Sequence, residues 1–122
     1  MDLKELYEAI DGDYEQATRV LRVEKLIDKH IRRLPNNKVF EEMAAAGQSM
    51  DETQLFESAH AMKGLCANLG LMGLSDMASD LAEEFRPGNT RSMSDDEVRE
   101  RVDQIGALYE RTIEGIRQYE AN

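Results

Sequence analysis

The chain has 122 residues, of which 41% are hydrophobic, and a formal net charge of −10 at pH 7. This length is typical of one domain, which commonly has roughly 100–150 residues, and no segment approaches the ~20 consecutive apolar residues of a membrane-spanning helix. The acidic balance argues against nucleic acid as a partner, because its phosphates are bound by clustered Lys and Arg. The single cysteine cannot form an internal disulfide, and the first residues lack the pattern of a signal peptide. We therefore expect one cytoplasmic domain over residues 1–122.

Three helical segments are predicted before Pro35. The first ends at Asp11-Gly12, and Asp13 can cap the second. The third carries apolar residues at helical spacing until Pro35, which cannot continue a helix. Because His30 lies inside that apolar stripe, we expect it to be a core or half-buried packing residue and not a chemical group. The stripe consists of Val23, Leu26, Ile27, His30, Ile31 and Leu34.

Two further helices are predicted in the middle of the chain. The fourth covers about residues 38–46 and ends at Gly47. The fifth begins after Asp51, which stands three residues before Gln54 in an acidic variant of the capping box, and Gly70 ends it. Its apolar residues recur every three or four positions and predict one buried face. That face consists of Leu55, Ala59, Met62, Cys66 and Leu69.

The last two helices are also marked by their boundaries. After a turn at Gly73, apolar spacing predicts a helix over residues 74–85, which the sequence Arg86-Pro87-Gly88-Asn89 breaks. Ser94 and Glu97 then form a capping box at the start of the last helix. Its apolar positions are Val98, Val102, Ile105, Tyr109, Ile113 and Ile116.

These elements predict an all-α fold. Short connections after Gly47 and Gly70 favour antiparallel neighbours, so we expect an antiparallel up-and-down four-helix bundle with additional short N-terminal helices. Its core covers about residues 23–120, and the segments before Pro35 supply its first long element and an elaboration.

His60 lies on the opposite face of the fifth helix from the buried stripe. At about 100° per residue, it falls roughly 140° from Leu55, with Lys63 near 80°, Ala67 near 120° and Gly64 near 180°. A glycine inside a helix costs about 1 kcal/mol relative to alanine, and close approach by another surface is a physical reason to accept that cost. Lys63, three residues after His60, can reach a group bonded to the imidazole.

This arrangement suits phosphoryl transfer. A neutral imidazole is a competent nucleophile near pH 7, and an ammonium can stabilise the phosphorylated form. The chain has no P-loop, kinase glycine-rich loop or Mg²⁺-binding signature. We therefore expect a phosphotransfer intermediate without kinase activity of its own. An ordinary surface histidine is the alternative interpretation of His60.

The segment Ala59-His60-Ala61-Met62-Lys63-Gly64, continued by residues 65–70, resembles the histidine phosphotransfer (HPt) family. The family pattern is His, two residues, Lys-Gly, four residues, an aliphatic residue and Gly, and every fixed element is present in register. The opening residues 3–7 and 12–14 look like those of free-standing bacterial members.

The resemblance implies roles for four residues. His60 would be the phosphorylation site, Lys63 and Arg86 would stabilise the phosphoryl group, and Gly64 would give clearance to the partner. Ala67 would add to that clearance because its side chain is small. The sequence departs from some relatives at two further positions, because Ala82 stands where they have a glutamine and Met72 where they have a hydroxyl cap.

The resemblance also implies partners. A hybrid sensor histidine kinase and response-regulator receiver domains would exchange the phosphoryl group with a monomeric chain, and Mg²⁺ would be held by the receiver. We expect no cofactor and no metal site in the chain itself. Three alternatives remain open: direct phosphorylation by a chemotaxis-type kinase, a helical interaction module that is never phosphorylated, and a metal-binding bundle, for which the His/Glu spacing is missing.

Overall fold

Seven α-helices and one 3-10 turn account for most of residues 1–121, the part of the chain that the computed structural model describes, and no strand occurs in that range. The bounds are α1 (Leu3–Ala9), α2 (Tyr14–Leu21), α3 (Glu24–Arg33), the 3-10 turn (Leu34–Asn36), α4 (Val39–Ser49), α5 (Glu52–Asn68), α6 (Met72–Phe85) and α7 (Asp95–Ala121). No helix among these residues has both the length and the apolar content needed to cross a bilayer.

Helices α4, α5, α6 and α7 form a four-helix bundle. Each packs on the next in chain order, and α7 packs back on α4. The connections after α4 and α5 are short and reverse the chain, so that helices adjacent in sequence are antiparallel neighbours. The predicted all-α fold and up-and-down bundle are therefore confirmed.

The first arm of the bundle is made of two helices in series. Along α7, the Tyr119 hydroxyl donates to the Asp28 carboxylate of α3, and Val102 lies against Gly47 of α4. Thus α3, the 3-10 turn and α4 run antiparallel to α7. The segments before Pro35 supply only part of this arm, because the ten residues of α3 span about 15 Å and cannot match the length of α7.

Helices α1 and α2 cover the end of the bundle where α5 stops. Helix α1 packs on α7, and α2 packs on α3 and α5. The Tyr7 hydroxyl donates to the Leu69 carbonyl at 2.6 Å, and the Asp13 amide donates to the Gly70 carbonyl at 2.7 Å. Two long-range hydrogen bonds therefore fix the C-terminal end of α5 to the N-terminal helices.

The buried face predicted for α5 is confirmed. All five of its predicted members are at most 2% exposed: Leu55, Ala59, Met62, Cys66 and Leu69. Ser58 is buried as well, and its hydroxyl donates to the Gln54 carbonyl at 2.6 Å. The apolar pattern missed Ser58 because a serine that bonds to its own helix can be buried without any other partner.

Several predicted helix ends are confirmed by their capping bonds. Ser94 and Glu97 form both bonds of the capping box before α7, at 3.1 and 3.2 Å. Before α5, the Asp51 carboxylate accepts from the Gln54 amide at 3.1 Å, but the Gln54 side chain contacts Glu57 instead of closing the box. Gly70 ends α5 with φ +72°.

Two helix boundaries differ from the prediction. Helix α4 continues through Gly47 to Ser49. Helix α7 lies so close to this position that a Cβ at Gly47 would be 3.3 Å from the Val102 side chain. The glycine serves helix packing there and does not end the helix. Helix α6 begins at Met72 without a side-chain cap, so Gly73 lies in its first turn.

The stripe predicted for the third segment is too wide. Ile27 and Ile31 are fully buried, but Val23 is 52% exposed and Leu26 is 39% exposed. Val23 precedes the first helical residue, and α3 packs on its neighbours through a narrower face than the pattern indicates.

Substitution of the two glycines of the α5 segment should have opposite effects on the free energy of unfolding. A Cβ at Gly70 would lie 2.1 Å from the Asp13 carbonyl oxygen, whereas a Cβ at Gly64 meets nothing within 4 Å. We expect Gly70→Ala to lower the free energy of unfolding by about 2 kcal/mol or more, and Gly64→Ala to raise it by ~0.5–1 kcal/mol. Urea unfolding followed by circular dichroism measures both. Equal stability of the two variants would contradict the role given to Gly70.

Candidate functional site

His60 lies at the middle of α5 with its side chain exposed to solvent, as predicted. Its ring stacks on that of Phe56, one turn earlier, with the ring centroids 5.6 Å apart and the planes 20° apart. Neither imidazole nitrogen forms a hydrogen bond with any of residues 1–121. The aromatic contact restrains the ring while both nitrogens stay open to an approaching group.

His30 has a different environment. It is half-buried, as predicted, and lines a groove of about 390 Å³ together with Leu34, Leu65 and Leu69. The two histidines therefore differ in exposure, as predicted from their position relative to the apolar stripe of each helix.

Gly64 and Ala67 follow His60 on the outer side of α5. Gly64 is exposed, with open space where a side chain would project, and Ala67 is half-buried. At these two positions the helix surface therefore carries only small groups. Another protein surface can approach the imidazole from this direction without meeting a long side chain of α5.

Lys63 is half-buried at the junction of α5 and α6. Its backbone carbonyl accepts a hydrogen bond from the buried Ser75 hydroxyl at 3.0 Å. Its ammonium forms no ion pair within 4.0 Å with residues 1–121. The Lys63 charge still acts on α6, where it helps to lower the pKa of the Glu83 carboxyl.

Arg86 stands directly after α6, with ψ 130° because the residue before a proline favours extended backbone. Its guanidinium binds the Glu83 carboxylate through two nitrogens, at 3.0 and 2.5 Å. The hydrogen bond and the charge of Arg86 are the largest causes that lower the pKa of Glu83. The Arg86 guanidinium also lies 5.9 Å from the centre of the Phe56 ring.

Phe56 therefore connects residues from two helices. His60 stacks on its ring, and Arg86 reaches that same ring from the end of α6. The structure thus brings Arg86 to the neighbourhood of His60. Sequence analysis missed Phe56 and Glu83, although the spacing of Phe56 to His60 and of Glu83 to Arg86 is that of side chains in contact on a helix.

The positions that depart from the resemblance contribute no polar group to His60. Ala82 is 2% exposed and packs inside the bundle.

Cys66 is also buried, on the opposite side of α5 from His60, and burial raises the pKa of its thiol to about 12. At neutral pH that thiol is protonated. Within the described part of the chain, no three His, Cys, Asp or Glu side chains are grouped so as to hold a metal ion.

The chain was compared with known proteins in three ways. A protein-family model described as the Hpt domain matches residues 2–117. A search of curated proteins and a search of solved structures each gave no significant match. The matched range contains α1 to α6 and most of α7, including every residue of the site described above.

Proposed function

The chain belongs to the Hpt domain family, whose members are phosphotransfer modules of two-component signalling, and we propose that it carries a phosphoryl group on His60 between receiver domains. The donor would be the phosphoaspartate of a receiver attached to a hybrid sensor histidine kinase, and the acceptor the aspartate of a response regulator, both in the cytoplasm. The chain would act as a monomer and without kinase activity of its own.

One observation carries this proposal: His60 is an exposed nucleophile with unbonded ring nitrogens, next to a glycine that leaves open space. A neutral imidazole nitrogen is a nucleophile that can attack phosphorus. Lys63 and Arg86 add positive charge at the edge of the same surface, where a bound phosphoryl group would need it.

The transfer step divides its work between two proteins. An imidazole nitrogen of His60 attacks the phosphorus of the partner's phosphoaspartate, the N–P bond forms, and the acyl phosphate O–P bond breaks to return a carboxylate to the partner. Mg²⁺ held by the receiver would neutralise the moving charge. The reverse sequence of bond changes passes the group to the next receiver.

Approach distance is the main geometric demand of this step. The reacting nitrogen and phosphorus must come to about 3–3.5 Å of each other before reaction. The receiver's active site must therefore press against α5 around His60. In our proposal Gly64 and Ala67 give the clearance for that contact.

Phosphotransfer from a purified phosphorylated receiver tests the function. In the presence of Mg²⁺, we expect acid-labile, alkali-stable phosphate on the chain, located at His60 by mass spectrometry. His60→Gln should lose all of it, and His30→Gln, the matched control, should keep it. Phosphorylation of His30, or none by any receiver or kinase, would overturn the proposal. Labelling by a chemotaxis-type kinase with ATP but not by receivers would favour the alternative donor.

Gly64→Gln should separate stability from transfer. The exposed site accepts a side chain, and glutamine is a better helix former than glycine, so the midpoint of thermal unfolding should stay equal or rise. The longer side chain would stand in the path of the receiver, and we expect transfer to slow by about tenfold or more.

Gly64→Ala is the control for this change, because a methyl group gains the helix propensity and adds little bulk. It should transfer faster than Gly64→Gln. An unchanged transfer rate in Gly64→Gln would mean that the receiver approaches His60 from another side.

A further inference from the structure

Arg86 is already paired before any phosphoryl group arrives. Its guanidinium bonds through Nε and one terminal nitrogen to a single carboxylate oxygen of Glu83, and both side chains are about half exposed. Neither the Hpt pattern nor the apolar spacing requires an acid at position 83. An acid here is unfavourable for a site that must hold an anion.

This ion pair lies near the proposed phosphorylation site. The imidazole of His60 and the guanidinium of Arg86 are 5.6 and 5.9 Å from the centre of the same Phe56 ring, and the sum of these distances is the largest separation that the two groups can have. The Arg86 side chain is exposed and has several rotatable bonds, so it can turn toward a phosphoryl group on the imidazole. Lys63 adds its charge from α5, since it also lowers the pKa of Glu83.

We propose that Glu83 is a charge-exchange residue, which holds Arg86 while His60 is unmodified and releases it to the phosphoryl group when His60 is phosphorylated. This inference rests on the proposed function of His60. Glu83 acts through Arg86, so it is a positioning residue and takes no part in the bond changes.

The exchange follows from the charges involved. A phosphoryl group carries about −1.5 to −2 charges and offers three acceptor oxygens, against one charge on the carboxylate. Arginine binds both kinds of group in the same forked geometry. Arg86 can bind the phosphoryl group only after its bonds to Glu83 break, and the cost of breaking them opposes the phosphorylated state. Glu83 therefore weakens the retention of the phosphoryl group and favours its transfer onward.

Chemical phosphorylation tests the inference without any receiver. Phosphoramidate transfers its phosphoryl group to imidazole as its own P–N bond breaks and ammonia leaves, and ³¹P NMR then follows hydrolysis of the phosphohistidine. We expect Glu83→Gln to lengthen the lifetime by about two- to fivefold, the effect expected of an exposed ion pair. Glu110→Gln, which makes the same change on the exposed surface of α7, should leave the lifetime unaltered.

Two further measurements separate charge exchange from simple repulsion. In the Arg86→Gln background, Glu83→Gln should change the lifetime much less, because there is no guanidinium to release. In the otherwise unmodified chain, the ¹⁵Nε signal of Arg86 should shift when His60 is phosphorylated.

The outcomes distinguish the inference from the function on which it rests. An equal or shorter lifetime in Glu83→Gln, an equal gain in Glu110→Gln, or an undiminished gain without Arg86 would overturn the charge exchange and leave phosphotransfer by His60 intact. No phosphohistidine at His60 from phosphoramidate or from any receiver would overturn both.

Discussion

The rotation of α5 about its own axis is fixed by burial on one side, and the site depends on that rotation. Helices α2, α4 and α6 pack against α5, and its five apolar side chains are almost completely removed from water. Burying an aliphatic side chain contributes about 1.5–3 kcal/mol. Rotating the helix about its axis would expose several of these side chains to water and would therefore be strongly unfavourable. His60 and Gly64 face solvent because the apolar face on the opposite side of α5 is buried in the bundle.

The same constraint extends to the end of α5. Gly70 adopts a left-handed conformation and accepts the amide of Asp13, while the Tyr7 hydroxyl bonds the preceding carbonyl. On α6, the Ser75 hydroxyl donates to the backbone carbonyl of Lys63 and so fixes α6 against α5. Arg86 therefore arrives beside Phe56 because the register between α5 and α6 is set by these contacts.

The charges near His60 differ in sign from the net charge of the chain. The chain carries a net charge of −10, which by itself would discourage an anion such as a phosphoryl group. Lys63 and Arg86 bring positive charge to the α5–α6 side of the bundle that carries His60, and Glu83 partly neutralises it. The Debye length is about 8–10 Å at physiological ionic strength, so charges of the chain that lie farther than this from the imidazole are largely screened.

Sequence alone predicted the features that depend on periodicity and local chemistry. The buried stripe of α5, the exposure of His60, the half-burial of His30 and the capping box before α7 all follow from spacing along one helix. The features it missed depend on contacts between helices. Gly47 looked like a helix end because its neighbour Val102 is distant in sequence, and the meeting of Arg86 with Phe56 requires the α5–α6 register. Val23 and Leu26 fit an apolar pattern, but no helix covers them.

The central claim is that the outer face of α5 around His60 is where a receiver domain docks. Titration of the ¹⁵N-labelled chain with an unlabelled receiver, followed by amide chemical-shift changes, measures this contact directly. We expect the largest changes at His60, Gly64 and Ala67, with smaller ones at Arg86. Changes confined to another surface, such as the exposed side of α7, with His60 and Gly64 unaffected, would contradict it.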